Sequence, residues 1–174
     1  MSLKTPQDVH DLLNFKLSRL LENSGAMITR LCEGRYGITR REWRLIALLA
    51  AHGSVSPSEL SDLAHLERGR VSRLITELSV KGLLRRQRVA HDGRRATLTL
   101  SAKGAALYAE LFPQSVAFSD LVLRALSPAE QDAFDRALHK LTDEAERIAA
   151  ARPVIEKADR RHGGARKLSA PRLT

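Results

Sequence analysis

The chain has 174 residues, 43% apolar and 28% charged, a length and composition that fit one domain with appendages and exclude a disordered chain. Lys and Arg number 29 against 20 Asp and Glu, and the formal charge of +9 points to a polyanionic partner, nucleic acid first. No stretch reaches the ~18 apolar residues of a membrane span, the opening MSLKTPQDVHDLLNFK lacks the order of a signal peptide, and the single Cys32 excludes an internal disulfide or a zinc site needing two thiolates. A cytoplasmic protein with no membrane association is expected.

In chain order, residues 8–33 place Val9, Leu12, Leu13, Leu17, Leu20, Leu21, Ile28 and Leu31 mostly on one helical stripe. Three later helices open with a hydroxyl residue followed three positions on by Glu: Thr39 with Glu42, Ser56 with Glu59, and Ser127 with Glu130. In such capping boxes the hydroxyl accepts an N–H of the first turn while the carboxylate reaches back, and Pro57 and Pro128 stand where a missing N–H costs nothing. The Thr39 helix runs through Trp43, Ile46, Ala47 and Ala50 to Gly53; the Ser56 helix, about ten residues, carries Leu60, Leu63 and Ala64 on one face. After a turn at His65-Leu66, Val71, Leu74, Ile75 and Leu78 fall at i, i+3, i+4 and i+7, with Gly82 just past the end. The opposite face presents Gly69, Ser72, Arg73 and Thr76, with Arg68 and Arg70 near its start.

Two short strands follow, Leu83–Val89 and Thr97–Leu100, with the turn placed in AHDGRR around Asp92-Gly93. Helix, short helix, basic helix and hairpin make a winged helix-turn-helix pattern. Residues 101–126 are expected to be helical with Pro113 breaking or kinking the helix after Phe112, and 127–150 carry Phe134, Leu138, Leu141, Ala145 and Ile148 as a heptad-like seam. A winged module cannot bury so many additional apolar faces, so the long end helices are expected to form a dimerisation layer. The fold class is therefore mainly α with a small β-hairpin wing. The expected divisions are an N-terminal dimerisation helix over 1–36, the winged DNA-binding domain over 37–101, C-terminal dimerisation helices over 102–150 and a basic tail without structure over 151–174.

The positive charge is local. Residues 67–95 carry nine Lys and Arg against three acids, the tail 151–174 seven against two, and the remainder is slightly negative. A recognition helix of the 68–80 type fits the major groove, roughly 12 Å wide, and reads base edges from its N-terminal half, which singles out Arg68, Arg70 and Arg73, each able to pair bidentately with guanine. Ser72 can bond a base or a phosphate, and Ser56 and Ser58 at a helix start suit phosphate oxygens. Of the arginines on the first strand, Arg86 is the expected DNA contact, with Arg85 and Arg88 on an exposed face. Arg94 at the hairpin tip can enter a narrow minor groove, with Asp92 orienting it.

The order of these features resembles the MarR family of bacterial transcription regulators over about residues 8–150. TRREWRLIALLAAHG resembles its second helix, SPSELSDLAHLERGRVSRLITELSVKGLLRR its helix-turn-helix, and HDGRRATLTLSAKG its wing and fifth helix. Asp92, Arg94 and Arg95 fit the family's Asp-x-Arg-Arg wing signature, and Leu100 to Gly104 the Leu-Ser/Thr-x-x-Gly pattern. The chain departs from the common pattern at Leu78 to Gly82 and at Gly69 and Arg70, departures that bear on the operator sequence. The resemblance implies repression and a small aromatic carboxylate or phenol bound between the dimer helices and the winged domain. For such an effector Arg19 offers a charge partner, Phe15 and Trp43 apolar walls, and His52 a further contact.

The same residues bear on other functional classes. Cys32 could make an oxidant-sensing repressor, with Tyr36, Arg30 and Arg35 nearby in sequence, although a buried inert thiol is the simpler reading. The six histidines show no metal-binding spacing, no metal or cofactor is expected, and the phosphate-loop, nucleophile-elbow and dinucleotide motifs are missing, so no enzyme is expected. A charge-driven, sequence-blind DNA binder is the main rival, and a protein–protein adaptor has no need of Arg94 at a wing tip. A two-fold dimer would bind double-stranded DNA carrying an inverted repeat with half-sites centred roughly 10 bp apart.

Overall fold

The computed structural model describes residues 3–89 and 92–151, with the backbone alone for 88, 89 and 92–95. The basic tail beyond 151 therefore lies outside the described residues. Six helices and one hairpin follow in the order α1 (Leu13–Tyr36), α2 (Arg40–His52), α3 (Pro57–Ala64), α4 (Arg68–Val80), β1 (Leu84–Val89), β2 (Asp92–Leu100), α5 (Ala102–Leu123) and α6 (Pro128–Ala151). The chain divides into two compact units, one up to Ala125 and one from Leu126.

Local chemistry accounts for most boundaries. Thr39 and Ser56 each accept the N–H of the Glu three residues on at 3.2 Å, and Glu42 and Glu59 return a carboxylate to Thr39 N and Ser56 N at 2.7 Å. At Ser127 the carboxylate of Glu130 instead receives both the backbone N–H and the hydroxyl. The left-handed Gly37 (φ 61°) stops α1 at Tyr36, three residues later than the apolar stripe implied. The start of α1 also differs from expectation: Asp8 caps a separate 3-10 turn, Val9–Asp11, and Leu12 is extended, so α1 begins at Leu13. The end of α4 is a Schellman turn in which Leu83 N donates to Leu78 O, Gly82 N to Ser79 O, and Gly82 takes φ 70°.

β1 and β2 pair antiparallel with Leu84 opposite Leu100 and Arg86 opposite Leu98, and a register shift falls between Arg88 and Val89. β2 begins at Asp92 rather than Thr97, so Asp92 and Gly93 belong to the strand and not to the turn. Past Ala96, which faces Arg88, the register shifts and Asp92 pairs with Val89, in a stretch with no apolar alternation to announce it. Val55 adds a single-residue bridge to Leu98, its N and O both bonded across.

α5 continues through Pro113 as one helix, so of the break or kink expected after Phe112 the break does not occur. The lost bond is the one to Ala109 O, and packing of α5 on α1 and α2 around fully buried Leu111 outweighs it. The Gln114 side chain meanwhile bonds Glu110 O at 2.9 Å. The core lies where α2, α4 and the hairpin meet: Leu45, Ile46, Leu60, Val71, Leu78 and Leu98 are all at most 1% exposed. By contrast α6, the helical element of the second unit, buries none of its residues.

Two glycines test this packing. A Cβ on Gly104 would collide with Leu83 O, whereas one on Gly34 in α1 meets nothing within 4 Å. Gly104→Ala is expected to lower stability by about 1–3 kcal/mol and Gly34→Ala to raise it by about 0.5–1 kcal/mol, both read by thermal or urea unfolding; a neutral Gly104→Ala would refute the close approach of α5 to the turn after α4.

Candidate nucleic-acid interface

α4 buries Val71, Leu74, Ile75 and Leu78 on one face. At 100° per residue this turns Gly69, Arg73 and Thr76 away from the core and leaves Arg68, Arg70 and Ser72 on the flanks. All six are exposed. No carboxylate among the described residues pairs with Arg68, Arg70 or Arg73. Val80 shares the outward face and is 84% exposed. Sequence reading passed over it, because an apolar residue in a helix is read first as core.

Ser56 is half-buried and its hydroxyl oxygen is engaged in the cap of α3, while Ser58, in the first turn of the helix, is exposed. On the hairpin, Arg85 and Arg86 are both exposed. Cross-strand partners share a face, so Arg86, opposite buried Leu98, stands on the core side of the hairpin and Arg85, opposite Thr99, on the other. The side chains of Asp92, Arg94 and Arg95 lie outside the described residues, although their backbone belongs to β2.

The four residues considered for an effector fall into different surroundings. Trp43 is 8% exposed and stacks on Tyr108 at 5.7 Å between centroids, and Tyr108 stacks on Phe112 at 5.1 Å, each pair inclined by 25°. Tyr108 and Phe112, one turn apart on α5, were not legible as a site, since only the fold brings them to Trp43. The ring of Phe15 meets His10 edge-on at 4.7 Å, and Arg19 is exposed. His52 lines an open groove of about 470 Å³ with Val55, Glu59, Asp62, Leu63 and His65, a lining that includes no residue of the Trp43 stack. A cation the sequence did not single out, Arg40, is half-buried between α1 and α2, its guanidinium over Gly25 and 3.4 Å from Leu21 O.

Cys32 is fully buried, and burial pushes its thiol up from 9.0 to about 11, with Glu33 adding to the rise. That is the reverse of the stabilised thiolate an oxidant sensor needs. The Tyr36 hydroxyl, once a candidate neighbour, donates to Glu110 at 2.7 Å and accepts from Gln114 at 3.0 Å instead. Among the described residues no group of three or more His, Cys, Asp and Glu could hold a metal ion, and no helix is long and apolar enough to cross a membrane.

A family model described as MarR family matches residues 36–95, which hold α2 to the wing. The HTH-type transcriptional regulator FarR of Neisseria gonorrhoeae is 35% identical over 74 residues, 42% of this chain. The winged segment is thus similar to MarR-family regulators. The match spans only 51% of FarR, about half the length of that curated relative. A second MarR-like match is the homoprotocatechuate degradative operon repressor of Escherichia coli, 26% identical over 58% of this chain and 67% of that protein. Beyond the winged segment, the crystal structure of NadR in complex with 4-hydroxyphenylacetate aligns with a TM-score of 0.66 at 27% identity, covering 79% of this chain and 96% of NadR. The likeness in fold thus extends past residues 36–95, which the family model matches, into the flanking helices.

The state of Cys32 is directly measurable. The native chain is expected to resist alkylation by iodoacetamide at pH 7–8 and to react fully once unfolded. The stabilisation from burying a neutral thiol is complete below pH 9 and is lost as pH rises from 9 toward 11, because there the unfolded chain ionises first; Cys32→Ser should remove that part of the alkaline stability loss. Rapid alkylation of the folded chain would restore the sensor reading.

Proposed function

We propose that this chain is a transcriptional regulator, not an enzyme, that binds double-stranded DNA as a homodimer on an inverted repeat and represses. The observation that carries the reading is the outward face of α4: exposed arginines without carboxylate partners among the described residues, on a helix fixed by its opposite apolar stripe. Arg68, Arg70 and Arg73 read base edges in the major groove, Arg73 from the centre of the face. Ser72 serves a base or phosphate, Ser56 and Ser58 bind phosphate at the start of α3, and Arg86, Arg94 and Arg95 contact the backbone and minor groove from the wing with Asp92 orienting Arg94.

Dimerisation is supported by apolar groups that the single chain leaves uncovered. Leu12, Leu20, Leu21 and Met27 at the start of the chain are 45–51% exposed, and on α6 Phe134, Leu141 and Ile148 are 37–45% exposed at heptad-like spacing. The proposed division is therefore dimerisation by 1–36 and 102–150 around a DNA-binding 37–101, with the basic 151–174 as an appended tail. MarR relatives supply the effector class: NadR was solved with 4-hydroxyphenylacetate, and a second relative controls homoprotocatechuate degradation. An aromatic carboxylate or phenol is accordingly the proposed ligand, with Trp43 and Phe15 as apolar walls and Arg19 or Arg40 facing the carboxylate; His52 belongs to its own groove.

The test is fluorescence anisotropy on the duplex upstream of the chain's own gene against a scrambled duplex at physiological salt. Specific affinity should exceed scrambled by about 10³ or more, with two chains per duplex. Arg73→Ala should cost about 1–3 kcal/mol on the specific duplex and much less on the scrambled one. Equal losses on both would show that Arg73 contributes charge alone.

A further inference from the structure

The C-terminal end of α4 is held from two sides by groups that the DNA-binding reading does not use. On one side, the Lys81 ammonium donates to Glu42 Oε1 at 2.7 Å, to Glu42 Oε2 at 2.9 Å and to Gly37 O at 2.9 Å. An ammonium has three N–H groups, and these three acceptors match its full set. The Glu42 carboxylate is 1% exposed and also accepts Thr39 N at 2.7 Å, so one buried group caps α2 and holds Lys81. Gly37 is the left-handed residue that ends α1, so the bonds converge on the α1–α2 junction.

On the other side, Lys81 O accepts Lys103 Nζ at 2.9 Å, Gly82 O accepts the Ser101 hydroxyl at 2.6 Å, and Leu83 O accepts Ser101 N at 3.1 Å. Gly104, lacking a side chain, lets α5 close on Leu83 O. Residues 81–83 are thus gripped between the α1–α2 junction and the start of α5. The apolar stripe fixes which face α4 turns outward, but such contacts are non-directional and tolerate small rotations and slides. The bonds at Lys81 are directional, and one of their charges is buried.

We propose that Lys81 is a positioning residue that sets the angle at which α4 is presented, and that a displacement of α1 against α5 reaches α4 through it. The inference rests on the reading that α4 meets DNA. It makes the α1–α5 layer and the recognition helix two ends of one contiguous polar network with a defined joint. An effector that shifts that layer then changes operator affinity without touching α4.

The test uses the full chain carrying Glu42→Gln and Lys81→Met together. The amide introduced by Glu42→Gln can still accept Thr39 N, no unpaired buried charge remains, and the net charge is unchanged, so attraction to phosphates is unaltered. Wild type and double variant are compared for unfolding and for affinity on specific and scrambled duplexes. The expected result is a cooperatively folded variant whose specific-to-scrambled ratio falls by about tenfold, with scrambled affinity within about twofold of wild type because the net charge is conserved. An unchanged ratio in the folded variant would overturn the proposal and leave the apolar stripe as sufficient. Should the double variant fail to fold, Lys103→Met, which strands no buried charge, must lower the same ratio, and a ratio equal to wild type there overturns the proposal. A wild type with no preference between the duplexes removes the DNA reading itself, a separate failure visible before any variant is made.

Discussion

Burying Val71, Leu74, Ile75 and Leu78 settles what the other face of α4 can do. A thirteen-residue helix whose apolar stripe is sunk against α2, α3 and β1 has a single face left for solvent, and here that face carries Gly69, Arg73 and Thr76 with Arg68, Arg70 and Ser72 beside them. Among the described residues these arginines are not spent on internal ion pairs. Much of the remaining architecture of the first unit serves to hold this helix still: α2 and α3 behind it, the hairpin continuing from its end, and Val55 tying the α2–α3 connection to Leu98 of the wing. Recognition of a groove demands such rigidity, because base-edge hydrogen bonds tolerate little displacement.

The Glu42–Lys81 pair illustrates how a buried charge can be tolerated. Desolvating a carboxylate is costly, and the pair is repaid only when geometry is good and the remaining lone pairs find donors. Glu42 meets that condition by receiving Thr39 N as well as Lys81 Nζ. The same residue that a capping box explains in purely local terms therefore also joins two helices distant in sequence.

The elements whose causes are local were legible in the sequence. Thr39 and Ser56 marked helix starts because a capping box needs only four residues, and the α4 stripe and Gly82 marked a helix and its end for the same reason. Elements decided by long-range contact were not. Pro113 was read as breaking or kinking the helix since nothing local reveals that Leu111 would be buried, and Val55 carried no strand signal because its bridge to Leu98 is one residue long. The start of β2 was placed five residues late because residues 92–96 carry no apolar alternation, although Ala96 pairs with Arg88 and Asp92 with Val89. For the site, the exposed basic face of α4 followed directly from helical periodicity, whereas the aromatic stack of Trp43, Tyr108 and Phe112 exists only through the packing of α2 on α5. Phe15, Arg19 and His52 were grouped with Trp43 by chemical type but stand in other surroundings.

The claim on which the account turns is that this face reads sequence and does not merely supply charge. Selection of bound duplexes from a random-sequence pool, at physiological salt and over several rounds, tests it without knowledge of the operator. The account predicts enrichment of an inverted repeat with half-sites centred roughly 10 bp apart. A bound pool with the same sequence composition as the input would contradict it and leave a basic surface that binds DNA by counterion release alone.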